Sequence, residues 1–120
     1  MLRCLVGKWL LFASKKEIDA LWGTVARAVY ENRLDCSAKV AGKESTRSHV
    51  ICVYNEDFTD IQAVKRVLRG LRDLGISWPV QYKPDLFTRL GVYSGNKWGL
   101  NPILYRSKHA QEVDIEYEQR

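Results

Sequence analysis

The sequence predicts an α+β fold, a mainly antiparallel sheet with two helices packed on one face. Three observations lead there. Two stretches place apolar residues at three- and four-residue steps, the spacing of a helix with one buried stripe. Around them lie short apolar and aromatic runs bounded by turn residues, which is strand composition. Two of those runs follow one another across a short Gly-containing loop, so a β-hairpin is expected.

Taken in order, Lys8 to Ala13 is a first buried strand. Ser14 and Glu17 then form an S-x-x-E capping box, whose side chains would satisfy N–H groups left open by the first helical turn. The helix is therefore expected to start near Lys15. Ile18, Leu21, Trp22, Val25 and Val29 make its buried stripe, and it ends near Asn32. Cys36 to Ala41 and His49 to Tyr54 are the hairpin strands, joined by Gly42 to Arg47. Thr59 and Gln62 offer a second capping box. Ile61, Val64, Leu68 and Leu71 follow at helical spacing, and Gly75 supplies a left-handed stop. The other side of this second helix carries Lys65, Arg69 and Arg72, the expected wet side of an amphipathic helix. Val80 to Lys83 reads as a strand and Pro84-Asp85 as the opening of a loop. Leu90 to Ser94 and Ile103 to Arg106 read as further strands. The organisation expected is one domain over residues 1–109 and an acidic C-terminal tail over 110–120.

Bulk properties bound the function. A chain of 120 residues, 46% hydrophobic, is one domain with enough apolar side chains for a core. Its longest apolar runs, KWLLFA and HVICVY, fall far short of the roughly 20 residues of a membrane span. The start, MLRCLVGKWLLFASKKE, has the flavour of a signal peptide. Gly7-Lys8 interrupts its apolar stretch and no small-residue cleavage site follows, so it is read as a strand and the protein as cytoplasmic or nuclear. Cys4, Cys36 and Cys52 are odd in number and lack CxxC spacing, so they are expected to be core thiols. Walker, GxGxxG, HExxH and GxSxG motifs do not occur, and no cofactor or metal is expected. The acidic stretch Glu56, Asp57 and Asp60 is read as charge for a helix N-terminus rather than a Mg²⁺ cage.

Charge is uneven. The formal charge is +5, from 19 Lys/Arg and 14 Asp/Glu. The last eleven residues hold four acids and one base, which leaves 18 bases and 10 acids, or +8, on residues 1–109. A cationic body with an anionic tail points to RNA, a nucleotide or another phosphate ligand, and to a tail able to fold back and screen the body.

The sequence GKWLLF…IDALW resembles the G-[KR]-W-L…[LI]-D-x-[FL]-W signature in the second half of the cap-binding translation initiation factor 4E. HVICVYNEDFTDIQAVKRVLRGLRDLGI is similar to that factor's strand, acidic loop, helix and Leu-Gly ending. A closer resemblance is to the basophilic leukemia-expressed protein family, a group of unknown function with a fold like that factor. It rests on Leu71 to Ile76, Tyr82 to Asp85, Thr88 and Gly91 to Tyr93, and covers about residues 7–106. The resemblance implies an initiation-factor-4E-like fold in which Trp9 and Trp22 are structural. It also implies no cap sandwich, because the two stacking tryptophans and the base-reading glutamate belong to the front half of that fold. In the related fold the hairpin supplies phosphate contacts, so Lys43 and Arg47 are phosphate binders by resemblance, beside Lys39.

The segment YKPDLFTRLGVYSGNKWG interleaves Lys83, Arg89 and Lys97 with Tyr82, Phe87, Tyr93 and Trp98. Cations beside ring faces suit single-stranded nucleic acid, since charge meets phosphate and rings stack on bases. The plainer alternative sends Tyr82, Phe87 and Tyr93 into the core, with Trp98 either a platform or a lid. The candidate ligand- or RNA-binding set is Lys39, Lys43, Arg47, Lys83, Arg89, Lys97 and Trp98. Two other classes stand beside a non-catalytic binding module. One is a protein-interaction module. The other is an enzyme on a phosphorylated substrate, with Lys39 or Lys83 as base and His49 as acid.

Overall fold

Alternation in GKWLLFAS puts Gly7, Trp9 and Leu11 on one side of a strand and Lys8, Leu10 and Phe12 on the other. A computed structural model describes residues 5–34, 37–41, 48–89, 103–107 and 116–117, and in it the first side is buried. This strand is β1 (Gly7–Ser14). After it come α1 (Ile18–Tyr30), β2 (Ser37–Ala41), β3 (Ser48–Asn55), α2 (Ile61–Asp73) and β4 (Val80–Pro84). A short α3 (Asp85–Arg89), β5 (Tyr105–Ser107) and β6 (Glu116–Tyr117) complete the described elements. The six strands form one sheet in the order β2-β3-β1-β4-β5-β6, antiparallel at every pairing. The predicted class is the observed one. Trp9, Leu11, Ile51, Val53, Val80 and Tyr82 of the sheet close against Val25 and Ala28 of α1 and Val64, Val67, Leu68 and Leu71 of α2.

Several local expectations change. Residues 15–17 form a turn, and α1 begins at Ile18 with no side-chain cap. The Ser14 hydroxyl donates to the Glu17 carboxylate at 2.8 Å, so neither side chain of the expected capping box reaches a backbone N–H. At α2 the cap is Asp60, whose carboxylate accepts from Ala63 N at 3.2 Å, and not Thr59. Thr59 instead donates to Asp57, and those bonds hold the Asp57 carboxyl below the usual carboxylate range. Gly75 has the expected left-handed backbone, with φ +92°. Pro84-Asp85 opens α3 rather than a loop. The expected strand Leu90 to Ser94 lies outside the described residues. Within the acidic tail, Glu116–Tyr117 pairs with β5 as an edge strand.

Arg72 is not part of a wet row. It donates to Ile76 O at 2.8 Å, to Trp78 O at 2.7 Å and to the Ser107 hydroxyl at 3.0 Å, tying the turn after α2 to β5. Lys65 and Arg69 of that row have no such role in the described contacts.

Tyr82 is the centre of the core. Its ring lies 5.2 Å from that of Trp9 in an edge-on arrangement and 5.5 Å from that of Tyr105. Its hydroxyl donates to Asn55 Oδ1, while Asn55 Nδ2 donates to Asp57 O at 3.0 Å. Trp9 satisfies its indole N–H on Val64 O at 3.2 Å. Burial, with smaller pushes from Tyr105 and Asp57, holds the Tyr82 phenol protonated far above the ordinary tyrosine range. The unfolded chain releases this proton near pH 10. A folded-state pKa raised in this way gives stability that is complete below about pH 10 and is lost as pH rises further. Stability is therefore expected to fall above that pH, by up to about 1.4 kcal/mol per pH unit from this group. Tyr82→Phe should flatten that alkaline slope while costing about 1–3 kcal/mol at neutral pH by orphaning Asn55 Oδ1. Urea titrations of both proteins at roughly pH 9 and pH 11 check it. Identical alkaline slopes would contradict the assignment.

Candidate functional site

Directly paired residues of antiparallel strands point to the same face, so register assembles the face turned away from α1 and α2. One row across it is Ser37, Tyr54, Lys8 and Lys83. The next is Lys39, Cys52, Leu10, Gln81 and Arg106. A third holds Val50 and Phe12. This outer face thus interleaves four cations with apolar and aromatic side chains.

Its electrostatics centre on the first row. Lys8 Nζ lies 3.0 Å from Asp85 Oδ1, with side chains 12% and 26% exposed, and 5.8 Å from the Tyr54 ring centroid. Lys83 sits directly across from Lys8 on β4. Burial lowers the Lys83 pKa, the neighbouring Lys8 charge lowers it further, and Asp85 partly offsets both. Cys52 is buried, and burial pushes its thiol up against the opposing pull of Lys8. Burial likewise raises the Tyr54 phenol, with Cys52 and Asp85 adding to it. Two ammonium groups set across one strand pair repel, and an arriving anion would relieve both that repulsion and the desolvation of Lys83.

Toward the other end of β1, Leu10, Phe12, Trp78, Pro79, Gln81 and Arg106 line a groove of about 360 Å³. Phe12 is 55% and Trp78 39% exposed. A larger cleft of about 670 Å³ lies where β3 runs into α2. Its rim carries Glu56, Asp57 and Asp60 beside Arg66, a balance that disfavours phosphate.

Of the candidate residues, the fold brings Lys39 and Lys83 onto this one face. Three strand spacings and two residues of stagger, roughly 16 Å, separate them. Arg89 ends α3, and its side chain is not described. Lys43, Arg47, Lys97 and Trp98 lie outside the described residues. Tyr82, part of the aromatic segment, is core, so it offers no ring to a ligand. His49 pairs with Ala13 and falls on the helix-covered side, so the sheet separates it from Lys39 and Lys83. That arrangement rules out the acid–base pairing weighed for an enzyme. Sequence reading missed Lys8, Tyr54, Phe12, Trp78 and Arg106. The alternation of Lys8, Leu10 and Phe12 with Trp9 and Leu11 was the available signal for the first strand's share.

Among the described residues, no helix is long and apolar enough to cross a membrane. A model of the family described as basophilic leukemia-expressed protein Bles03 matches residues 1–91. Among solved structures, the chain is similar to Ascaris suum eIF4E-3, whose crystal structure is a complex with the m7G cap. The TM-score is 0.54 and the identity 16%, over 78% of this chain and 53% of that one. The likeness is one of fold, and this chain spans about half the length of that structure.

Proposed function

The chain belongs to the basophilic leukemia-expressed protein Bles03 family, and on that footing we propose that the outer face of its sheet binds a nucleotide-type anion, RNA or a free nucleotide, without catalysing a reaction. One observation carries the reading. Strand register gathers Lys8, Lys39, Lys83 and Arg106 from four different strands onto one face, among Leu10, Phe12, Cys52 and Tyr54. Cations supply phosphate contacts, and the apolar and ring surfaces between them suit bases. The cap bound in the crystal structure of Ascaris suum eIF4E-3 supports a nucleotide as the kind of ligand for this fold. Lys43, Arg47, Arg89, Lys97 and Trp98 remain part of the proposed ligand-binding set on sequence grounds.

Fluorescence anisotropy with a labelled single-stranded RNA, repeated across a salt series, tests this. Affinity is expected to fall steeply with salt, each phosphate contact adding about 0.7 to the log–log slope. Affinity indifferent to salt, or a protein partner whose capture survives nuclease treatment, would move the reading to a protein-interaction module.

A further inference from the structure

We propose that the groove between Phe12 and Trp78 is a base-stacking subsite distinct from the Lys8–Lys83 row, and that the ligand is a single-stranded oligonucleotide rather than a mononucleotide. This rests on the reading of the outer face as a nucleotide-binding surface. Its own observations are three. Phe12 and Trp78, 55% and 39% exposed, are the large aromatic side chains of a groove whose remaining lining includes Leu10 and Pro79. Such a pairing of accessible rings is what bases stack on regardless of their identity.

Arg106 lines the same groove, and Lys39, Lys8 and Lys83 continue the positive charge across the same face. The occupant must therefore be both flat-ringed and anionic, which an apolar peptide is not and a nucleic acid strand is.

Distance then sets the ligand's length. Lys8 and Phe12 are four residues apart on β1, about 14 Å along the strand. A stacked nucleic acid strand advances about 3.4 Å per nucleotide, so the rings and the Lys8–Lys83 row lie about four nucleotides apart. One nucleotide cannot touch both. A short strand can, with phosphates over Lys8, Lys39 and Lys83 and a base in the groove.

The test compares adenosine monophosphate with an adenylate hexamer, the first measured by competition against the labelled second. The hexamer is expected to bind at least ten-fold more tightly. Phe12→Ala and Trp78→Ala should each weaken the hexamer by roughly 5- to 140-fold, the worth of a stacked base, and narrow its advantage over the mononucleotide. Trp78→Phe should retain most of the affinity. Both positions are exposed, and unchanged thermal midpoints would show that folding is not the cause. A hexamer that binds no better than the mononucleotide, or is indifferent to both alanine variants, overturns the subsite while leaving the outer face as a nucleotide site. Mononucleotide affinity that falls as far as the hexamer's in either variant also overturns it, by placing the single binding site in the groove. Failure of both probes to bind overturns the subsite together with the reading beneath it.

Discussion

Replacing Lys39 and Lys83 together by glutamate is expected to weaken single-stranded RNA binding by about thirty-fold or more near 0.1 M salt. The magnitude follows from counterion release. Each phosphate contact on a single strand contributes about 0.7 to the slope of log affinity against log salt. Relative to about 1 M salt, where this contribution vanishes, each contact is worth roughly five-fold at 0.1 M, and two are worth roughly twenty-five-fold. Reversing the charges adds repulsion to that loss. The same double variant should lower the salt slope by about 1.4. Lys39 is exposed and Lys83 half-buried, and unchanged urea midpoints would show that folding is not the cause. Charge reversal at Lys65 and Arg69, on the helix side of the molecule, is the matched control and should leave affinity within about two-fold. A control that loses as much as the double variant would mean that net charge, not the outer face, governs binding.

Gly7→Ala is expected to destabilise the fold by about 3 kcal/mol or more. The reason is space, not backbone freedom. A methyl group on Gly7 would overlap the Tyr82 ring and hydroxyl. That ring cannot yield. It is fully buried, lies against Trp9 and Tyr105, and its hydroxyl is bound to Asn55. Overpacking usually costs about 1–3 kcal/mol, and a clash with an immobile aromatic belongs at the upper end or beyond. Combining Gly7→Ala with Tyr82→Ala should cost less than the two single changes added, because the second removes what the first strikes. Urea midpoints for the three variants measure it, and a Gly7→Ala protein within about 0.5 kcal/mol of the parent would contradict the packing described.

Fold class was legible because it depends on local periodicity. The Val64, Leu68 and Leu71 stripe of α2 and the alternation of Trp9 and Leu11 in β1 are written in consecutive residues. Capping was less legible, since the signature of Ser14 and Glu17 specifies residue types but not whether their side chains bond the backbone or each other. Arg72 sits on the polar side of the α2 pattern, yet the chain returns over it and supplies carbonyls from Ile76 and Trp78. No helical projection contains that return.

The candidate site was half legible for the same reason. Lys83 stood out as a cation among aromatic residues and Lys39 as part of the basic group on the first hairpin. Their meeting on one face with Lys8 and Arg106 depends on β1 inserting between β3 and β4, a long-range arrangement that no local window encodes. Trp78, next to Pro79 in a turn, belongs to no periodic pattern and so gave no sign of its place beside Phe12. Tyr82 stood open between a ligand-facing ring and the core. Its neighbours are basic and polar in sequence, but strand alternation sends it inward.

The most direct test is amide chemical-shift mapping on isotope-labelled protein titrated with an adenylate hexamer. Binding through the outer face predicts shifts at Lys8, Leu10, Phe12, Cys52, Gln81 and Lys83, with Val64 to Leu71 of α2 left in place. Shifts concentrated on α2, or around Glu56, Asp57 and Asp60, with β1 and β4 silent, would contradict it.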